Sequence, residues 1–573
     1  MSRILRLLAI IVLLFLIASA WFWWNRPKRV DMGAYVPADA LVYLEANSLT
    51  DVAAAITETD AWQRLGPSLG IQPSRHSGWL TYLIKTTGFG STSSVLAVRA
   101  QMAFVMLDLN SVGNGDTLEF KPLAALVVET HTSATRTKPT IENMISEFAT
   151  RAYSQPKFER VNLAEGEYVR WIAPDGQRRI VASFDGSVVV VGNDDRAVSA
   201  CLAAHRGQRP NLLHQPEIEE MRARLKASEA LAFGYVSSVN AARLVSEGAP
   251  LILGRQSEGA QLQKLLALGA AKVLGNVGWS TRSFNGGIED NYFVALKPGV
   301  VARLRLALRG PNEGRHGAWE LLPADTYSVT TYNLNDPAAA WQSLNNALSS
   351  QVDALSAIVL TTWFRALLVP YGIDEPDSFL KAIKPEILTV RFEANSERAL
   401  VIAGIADTGA MHRFVSRRFG SNPRTERVGD IEFVSSPDER DAASFAGDYF
   451  LLGSPEDVRR CLTAHVTHDT ISAFPTRLAG LTHYLGTYQT SNIVTYSKDN
   501  ERARALMTTL ITIRGSRASV SVNEIDRLIN DLPYAATETT LGEDGFERRT
   551  RSPFGQFAFL VSLLAPEPVR STP

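Results

Sequence analysis

The two cysteines of this chain sit in the same short pattern. Ser183-Phe184-x-Gly186 precedes Cys201-Leu202-x-Ala204-His205, and about 260 residues later Ser444-Phe445-x-Gly447 precedes Cys461-Leu462-x-Ala464-His465. A disulfide would need their Cα atoms within about 7 Å. Equivalent points in tandem domains of this size, each with a radius of gyration near ~18 Å, lie roughly 30 Å or more apart. The expected role is therefore a small buried residue on a core-facing helix position, which leaves the redox compartment undecided.

Other residues with chemical potential fall short of a site. His465-x-x-His468-Asp469 could place two imidazoles on one helix face for zinc, but there is no Glu of the H-E-x-x-H kind and no partner for His468 near His205. Gly88-Phe89-Gly90-Ser91 could cradle a phosphate, yet it has no third glycine and no Gly-Lys-Ser/Thr, and Gly372 alone returns, as a helix-ending glycine would. Gly278-Trp279-Ser280 lacks the second glycine of a nucleophile elbow. Ser183 and Ser444 precede turns, where a hydroxyl bonds backbone. The pairs Asp194/Asp195 and Glu219/Glu220 belong to helix starts or solvated faces, and Asp39 and Asp325 read as turn residues after Pro-Ala. No catalytic, cofactor-binding or metal-ligating residue is assigned.

The elements that position these residues are repeated. Pro37-Ala38-Asp39 returns as Pro323-Ala324-Asp325, Trp79 as Trp363, Ala125 to Val128 as Ala399 to Ile402, Glu159-Arg160-Val161 as Glu426-Arg427-Val428, Tyr235 as Tyr496, Ala242-Arg243 as Ala503-Arg504, Gly287 as Gly545 and Pro298 as Pro553. The offset falls steadily, from 286 at Pro37 through 274 at Ala125 to 255 at Pro298. Chance matches would scatter; a one-way drift means one set of elements with shorter loops in the second copy. The expected organisation is an N-terminal segment, 1–30, then copies at 31–305 and 316–573 joined by a linker, 306–315, that contains Gly310-Pro311-Asn312-Glu313-Gly314. Each copy is large enough for a core of its own.

Within a copy, residues 40–44 read as a strand and 49–65 as a helix started at Asn47/Ser48. Residues 180–191 read as a hairpin turning at Asp185-Gly186. Asp194 and Ser454 are expected to cap the helices that carry the cysteines, with Pro455 at a tolerated first-turn position. Hairpins mixed with helices predict an α+β fold with a largely antiparallel sheet. Two further apolar stretches, 355–369 and 557–565, read as core, with lipid or partner contact as the alternative; the second follows Pro553 as 300–308 follows Pro298.

Charge is balanced, with 58 basic against 59 acidic residues, so no general field recruits nucleic acid. Residues 7–24 are apolar apart from Ser19, and as a helix they would extend about 27 Å, close to a bilayer core. Cleavage after Ala18-Ser19-Ala20 would make them a signal peptide. Trp21, Phe22, Trp23 and Trp24, followed by Arg26, Lys28 and Arg29, suit the interface of a retained anchor, which is the preferred reading. Arg3 and Arg6 leave orientation undecided by charge. A long domain translocates largely regardless of it, so the bulk is expected outside the cytoplasm.

The Tyr35-Val36-Pro37-Ala38-Asp39-Ala40-Leu41 opening after an apolar segment, the Phe-x-Gly hairpin with its helix, and Arg551-Ser552-Pro553-Phe554-Gly555 together resemble the bacterial DUF3352 family of uncharacterised, membrane-anchored or exported proteins. The resemblance implies location and a two-copy architecture and supplies no catalytic residue. The expected function is a single-pass inner-membrane protein whose extracytoplasmic part is a binding or scaffold module of the cell envelope, without cofactor, holding an envelope protein partner or an apolar ligand. An exported hydrolase with a site assembled from distant residues, and a carrier of apolar ligands, are the alternatives.

Overall fold

A computed structural model of the chain describes residues 29–67, 100–114, 117–163, 166–253, 268–308, 317–349, 368, 371–394, 396, 398–420, 423–473, 491–514 and 522–556. The anchor candidate 7–24, Trp79, Trp363, the Gly88 to Ser91 loop, the linker glycines, nearly all of 355–369 and the whole of 557–565 lie outside the described residues. Among the described residues no helix is long and apolar enough to cross a membrane.

Among the described residues twenty strands form one antiparallel sheet, with helices packed against it. The first half supplies β1 (Val42–Ala46), β2 (Gln101–Asn114), β3 (Thr117–Glu129), β4 (Lys157–Leu163), β5 (Gly166–Ile172), β6 (Arg179–Asp185), β7 (Val188–Gly192), β8 (Ala232–Val236), β9 (Leu274–Phe284) and β10 (Gly287–Leu296). The second supplies β11 (Ser328–Asn333), β12 (Ile383–Arg391), β13 (Leu400–Ile405), β14 (Arg424–Val428), β15 (Ile431–Ser435), β16 (Ala442–Ala446), β17 (Tyr449–Gly453), β18 (Ile493–Ser497), β19 (Ala535–Leu541) and β20 (Gly545–Ser552).

In space the first half runs β4-β5-β6-β7-β3-β2-β1-β8-β9-β10. The second runs β14-β15-β16-β17-β13-β12-β11-β18-β19-β20, the same order element for element. Registers agree as well: Tyr43 lies opposite Tyr235, and Val329, 286 residues after Tyr43, lies opposite Tyr496. The halves meet where β10 pairs with β20, Asn291 opposite Arg549. That is the 258-residue offset of Gly287 and Gly545, so a strand meets its own counterpart residue about a local pseudo-twofold axis.

Local chemistry explains the elements. Asp185 pairs with Val188 around Gly186, whose φ of 62° is the positive value a two-residue hairpin turn needs; Gly447, φ 58°, does the same between Ala446 and Tyr449. The turn is thus Gly186-Ser187, one residue beyond its expected place. Asp194 and Ser454 cap helices Asp195–His205 and Pro455–Thr467, accepting from the backbone N–H of Arg196 and Asp457.

The helix expected over 49–65 is two, Leu49–Thr57 and Asp60–Leu65. Thr59 caps the second by accepting from Trp62 N–H, and Asp60 N–H donates to the Gly286 carbonyl in the β9–β10 turn, 2.7 Å away. A backbone donor committed to another element cannot continue a helix.

Each half has its own core: Tyr43, Val105, Val127, Cys201 and Phe233 in the first, Val329, Leu388, Leu400, Phe433 and Cys461 in the second. Two further cores mix the halves. Trp62 and Leu65 pack with Leu506, Met507, Ile529 and Phe554, while Val300 and Leu304 of helix Pro298–Leu308 pack with Leu344 and Phe546. The halves are therefore joined by a strand ladder and by apolar packing around it.

Candidate functional site at the seam

Directly opposed residues of antiparallel strands share a face. The β9/β10/β20/β19 registers therefore put Arg282, Glu289, Asn291 and Phe293 on one face with Arg551, Arg549, Glu547 and Glu538. Glu289 is fully buried at the centre. Arg551 Nε donates to its Oε2 at 2.8 Å, Arg282 Nε to its Oε1 at 2.8 Å, and Asn291 Nδ2 to Oε1 at 3.2 Å. Burial works to raise the pKa of Glu289, but these donors outweigh it and hold the carboxyl below its ordinary range. Arg549 Nε donates to Asn291 Oδ1 at 3.1 Å, so the two counterpart residues bond across the axis.

Glu538 is different. It is 6% exposed, its nearest guanidinium, that of Arg551, is 3.9 Å away, and its Oε1 has no hydrogen-bond partner among the described residues. Burial pushes its carboxyl up to about 7, against the opposing charges of Arg551 and Arg549. A cleft of about 300 Å3 opens on this face, lined by Glu538, Arg282, Arg549, Glu547, and Arg224 and Lys226 at the end of helix Pro216–Arg224. Arg224 is engaged by Asp544 and by Glu547 at 3.3 Å, and lies 4.0 Å above the Phe293 ring. On the opposite face Asp290 is buried, receives Trp279 Nε1–H at 3.2 Å and Gln556 N–H at 3.0 Å, and is pushed up to about 6 by burial.

The residues weighed from sequence are dispersed. Ser183 and Ser444 donate to the carbonyls of Glu167 and Glu432 on the neighbouring strand, at 3.0 and 2.8 Å. Cys201 and Cys461 are buried free thiols; burial pushes Cys201 up to about 12 and Cys461 well above the ordinary thiol range. His465 Nδ1 lies 3.0 Å from the Glu320 carbonyl, and His468 ends its helix in the left-handed conformation. Among the described residues no three His, Cys, Asp or Glu side chains are placed to hold a metal.

Asp39 pairs with Arg209 at 2.5 Å and Asp325 with Arg460; Asp194 and Asp195 pair with Arg179, and Glu219 with Arg222. Ser280 donates to the Leu225 carbonyl at 3.0 Å. Gly372 has φ 73°, in the left-handed region, and the stretch that would form a helix ending at it lies almost wholly outside the described residues. A second, largely buried network joins Arg222 to Asp31 at 2.5 Å and to Glu45 at 3.4 Å, with Tyr43 donating to Glu45 at 2.5 Å.

Sequence reasoning passed over the seam residues. A signal was present: the polar runs Glu289-Asp290-Asn291 and Glu547-Arg548-Arg549 stand at the same distance after the matched glycines Gly287 and Gly545. Neither run is a motif; the site exists only once the two copies pair. No family model, curated protein or solved structure matches the chain.

Proposed function

We propose that the protein is a membrane-anchored, extracytoplasmic binding or scaffold module of the bacterial cell envelope, in which a transmembrane helix at 7–24 precedes two tandem copies, 31–305 and 316–573, of one α+β domain, as the resemblance to the DUF3352 family implies. The observation that supports a binding role is the seam. A polar cleft lies where the two halves meet, formed by side chains that neither half could assemble alone, and beside it lies a buried carboxylate oxygen that has no hydrogen-bond partner among the described residues. Buried polar groups in a finished core are hydrogen-bonded, so an orphan beside a cleft points to an absent binding partner.

The carrier reading draws on a separate observation. An apolar cleft of about 550 Å3 lies between the first-half sheet and helix Ala134–Tyr153, lined by Met102, Phe104, Met144, Ile145, Phe148 and Val191.

Membrane fractionation with a carbonate wash, followed by protease treatment of intact and permeabilised cells, tests the placement. The expected result is a full-length chain that stays with membranes and is cut only once the outer layers are opened. A soluble chain beginning at Trp21 would overturn the anchor. Affinity purification from detergent then tests the binding role: a partner retained by the native chain should be lost when Asn291 and Arg549 are both replaced by alanine, and an apolar ligand identified in the purified protein would favour the carrier.

A further inference from the structure

The cleft beside helix Ala134–Tyr153 lies on a sheet whose strands are apolar on both faces. Strand β7 carries the unbroken run Val188-Val189-Val190-Val191; Val188 and Val190 face the first-half core, whereas Val189 and Val191 face the cleft with Leu126 and Val128 of β3. Strands of that kind need cover on both sides. The helix above offers Ile141, Met144, Ile145 and Phe148, an apolar stripe at i, i+3, i+4 and i+7, yet Phe148 stays 57% exposed. The corresponding helix of the second half, Thr408–Phe419, buries Met411, Phe414 and Phe419. The first-half stripe instead overlooks a cleft of about 550 Å3. The polar side chains of its lining are engaged within the protein. Thr130 donates to the Ser187 carbonyl at 2.7 Å, Asn193 donates to the Pro122 carbonyl at 2.6 Å and accepts from Ala124 N–H at 3.0 Å, and Arg179 pairs with Asp194 at 3.1 Å.

We infer that this cleft holds the hydrocarbon tail of a single-chain lipid, with the polar head left in water. A ligand with polar groups along its body would lose their hydration and find lining partners already engaged. An extended peptide would add backbone donors and acceptors that β2, β3 and β7, each paired on both sides, cannot meet. A plain hydrocarbon tail carries neither cost, and the volume suits one tail rather than a pair. Position supplies the source. Gln101, between Ala100 and Met102 of the lining, holds Val30 at both backbone groups, accepting from its N–H at 2.8 Å and donating to its carbonyl at 3.0 Å. Val30 is six residues beyond Trp24, a reach of at most about 20 Å, so an anchor at 7–24 would keep this end of the cleft close to the bilayer. The inference rests on the carrier reading and is independent of the seam: an apolar ligand that copurifies from elsewhere on the protein fails the inference alone, and the absence of any copurifying ligand fails the reading.

The experiment is photolabelling of the full chain in its membranes, before any detergent is added, with palmitate that carries a diazirine in its tail, followed by purification and mapping of the labelled peptides by mass spectrometry. The expected result is saturable labelling of the peptides that contain Leu126, Met144 and Phe148. Palmitate and a lysophosphatidylcholine with the same tail should compete equally, and butyrate should not compete. Leu126→Trp, which fills the cleft, and Phe148→Glu, which sets a charge against the tail, should each lower labelling of these peptides by about tenfold or more while labelling elsewhere in the chain is unchanged. Phe148 is largely exposed, so its variant folds and keeps the test decisive if Leu126→Trp does not. Labelling confined to other residues, labelling of the cleft that Phe148→Glu leaves unaltered, or competition set by the head group rather than by the tail overturns the inference.

Discussion

Among the described residues the two halves share a strand order and differ in what fills the sheet face away from their main cores. In the second half, Phe379 of helix Pro376–Ala382 sits 5.3 Å from Phe414 and 6.2 Å from Phe450, ring centre to ring centre, in a closed aromatic core with Ile387, Val401 and Met411. In the first half, helix Ala134–Tyr153 reaches Trp171 and Val169 through Ile145 and Tyr153 but leaves Phe148 57% exposed beside the apolar cleft. The residues whose position before β2 matches that helix before β12 lie outside the described residues. The contrast shows that strand order and side-chain filling are separable: the ladder is carried by backbone hydrogen bonds and a period-two pattern that many apolar residues satisfy, whereas closure depends on the size of a few side chains.

Truncation tests this most strongly. Phe450→Ala in the closed core should cost about 3–5 kcal/mol and Phe148→Ala no more than about 0.5 kcal/mol, read by urea denaturation. Equal losses would mean that the first-half face is as tightly packed as the second and would break the comparison.

The seam offers a counterpart pair. Glu289→Ala leaves Arg551, 5% exposed, without its closest acceptor and should cost about 3–5 kcal/mol. Glu547→Ala, at the matching position but half-exposed, should cost about 0–1 kcal/mol. If the two proved alike, the local twofold would extend to the energetics.

Cys201→Ser and Cys461→Ser should be equivalent, each destabilising by roughly 1–3 kcal/mol if the hydroxyl finds no acceptor, with binding unchanged. Thermal melts alongside partner pull-downs separate a structural from a functional thiol.

The finest comparison is by pH. Asp290 in the first half and Asp499 in the second are both raised by burial, to about 6. A carboxylate raised in the folded state binds protons more tightly there than when unfolded, so its contribution is full below its unfolded pKa near ~3.9 and is lost as pH rises through about 6. Asp31 and Glu289 are depressed, and their contributions fall away only at lower pH. With Glu538 raised by burial to about 7 as well, stability should decline from about pH 4 to pH 7 through Asp290, Asp499 and Glu538, and Asp499→Asn should flatten the part of that decline below about pH 6. Denaturation midpoints across this range check the sign; an unchanged slope would mean that Asp499 titrates normally.

Much of the architecture was legible in the residues. The drifting offsets located corresponding elements, and Asp194, Ser454, Gly186 and Gly447 marked caps and turns, because capping and positive φ are decided by a few neighbouring residues. Alternation and hairpin spacing were enough for an antiparallel α+β fold. The break at Thr59 was not foreseen, since the hydrogen bond that makes it runs from Asp60 N–H to the carbonyl of Gly286, more than 200 residues away. The seam was equally hidden. Glu289, Arg551, Arg549 and Glu538 read singly as polar residues in strands, and only the pairing of β10 with β20 brings them together. Sequence determined what each copy could build locally; the tertiary structure decided that the copies join through their last strands, because register between distant segments depends on the packing of both faces at once.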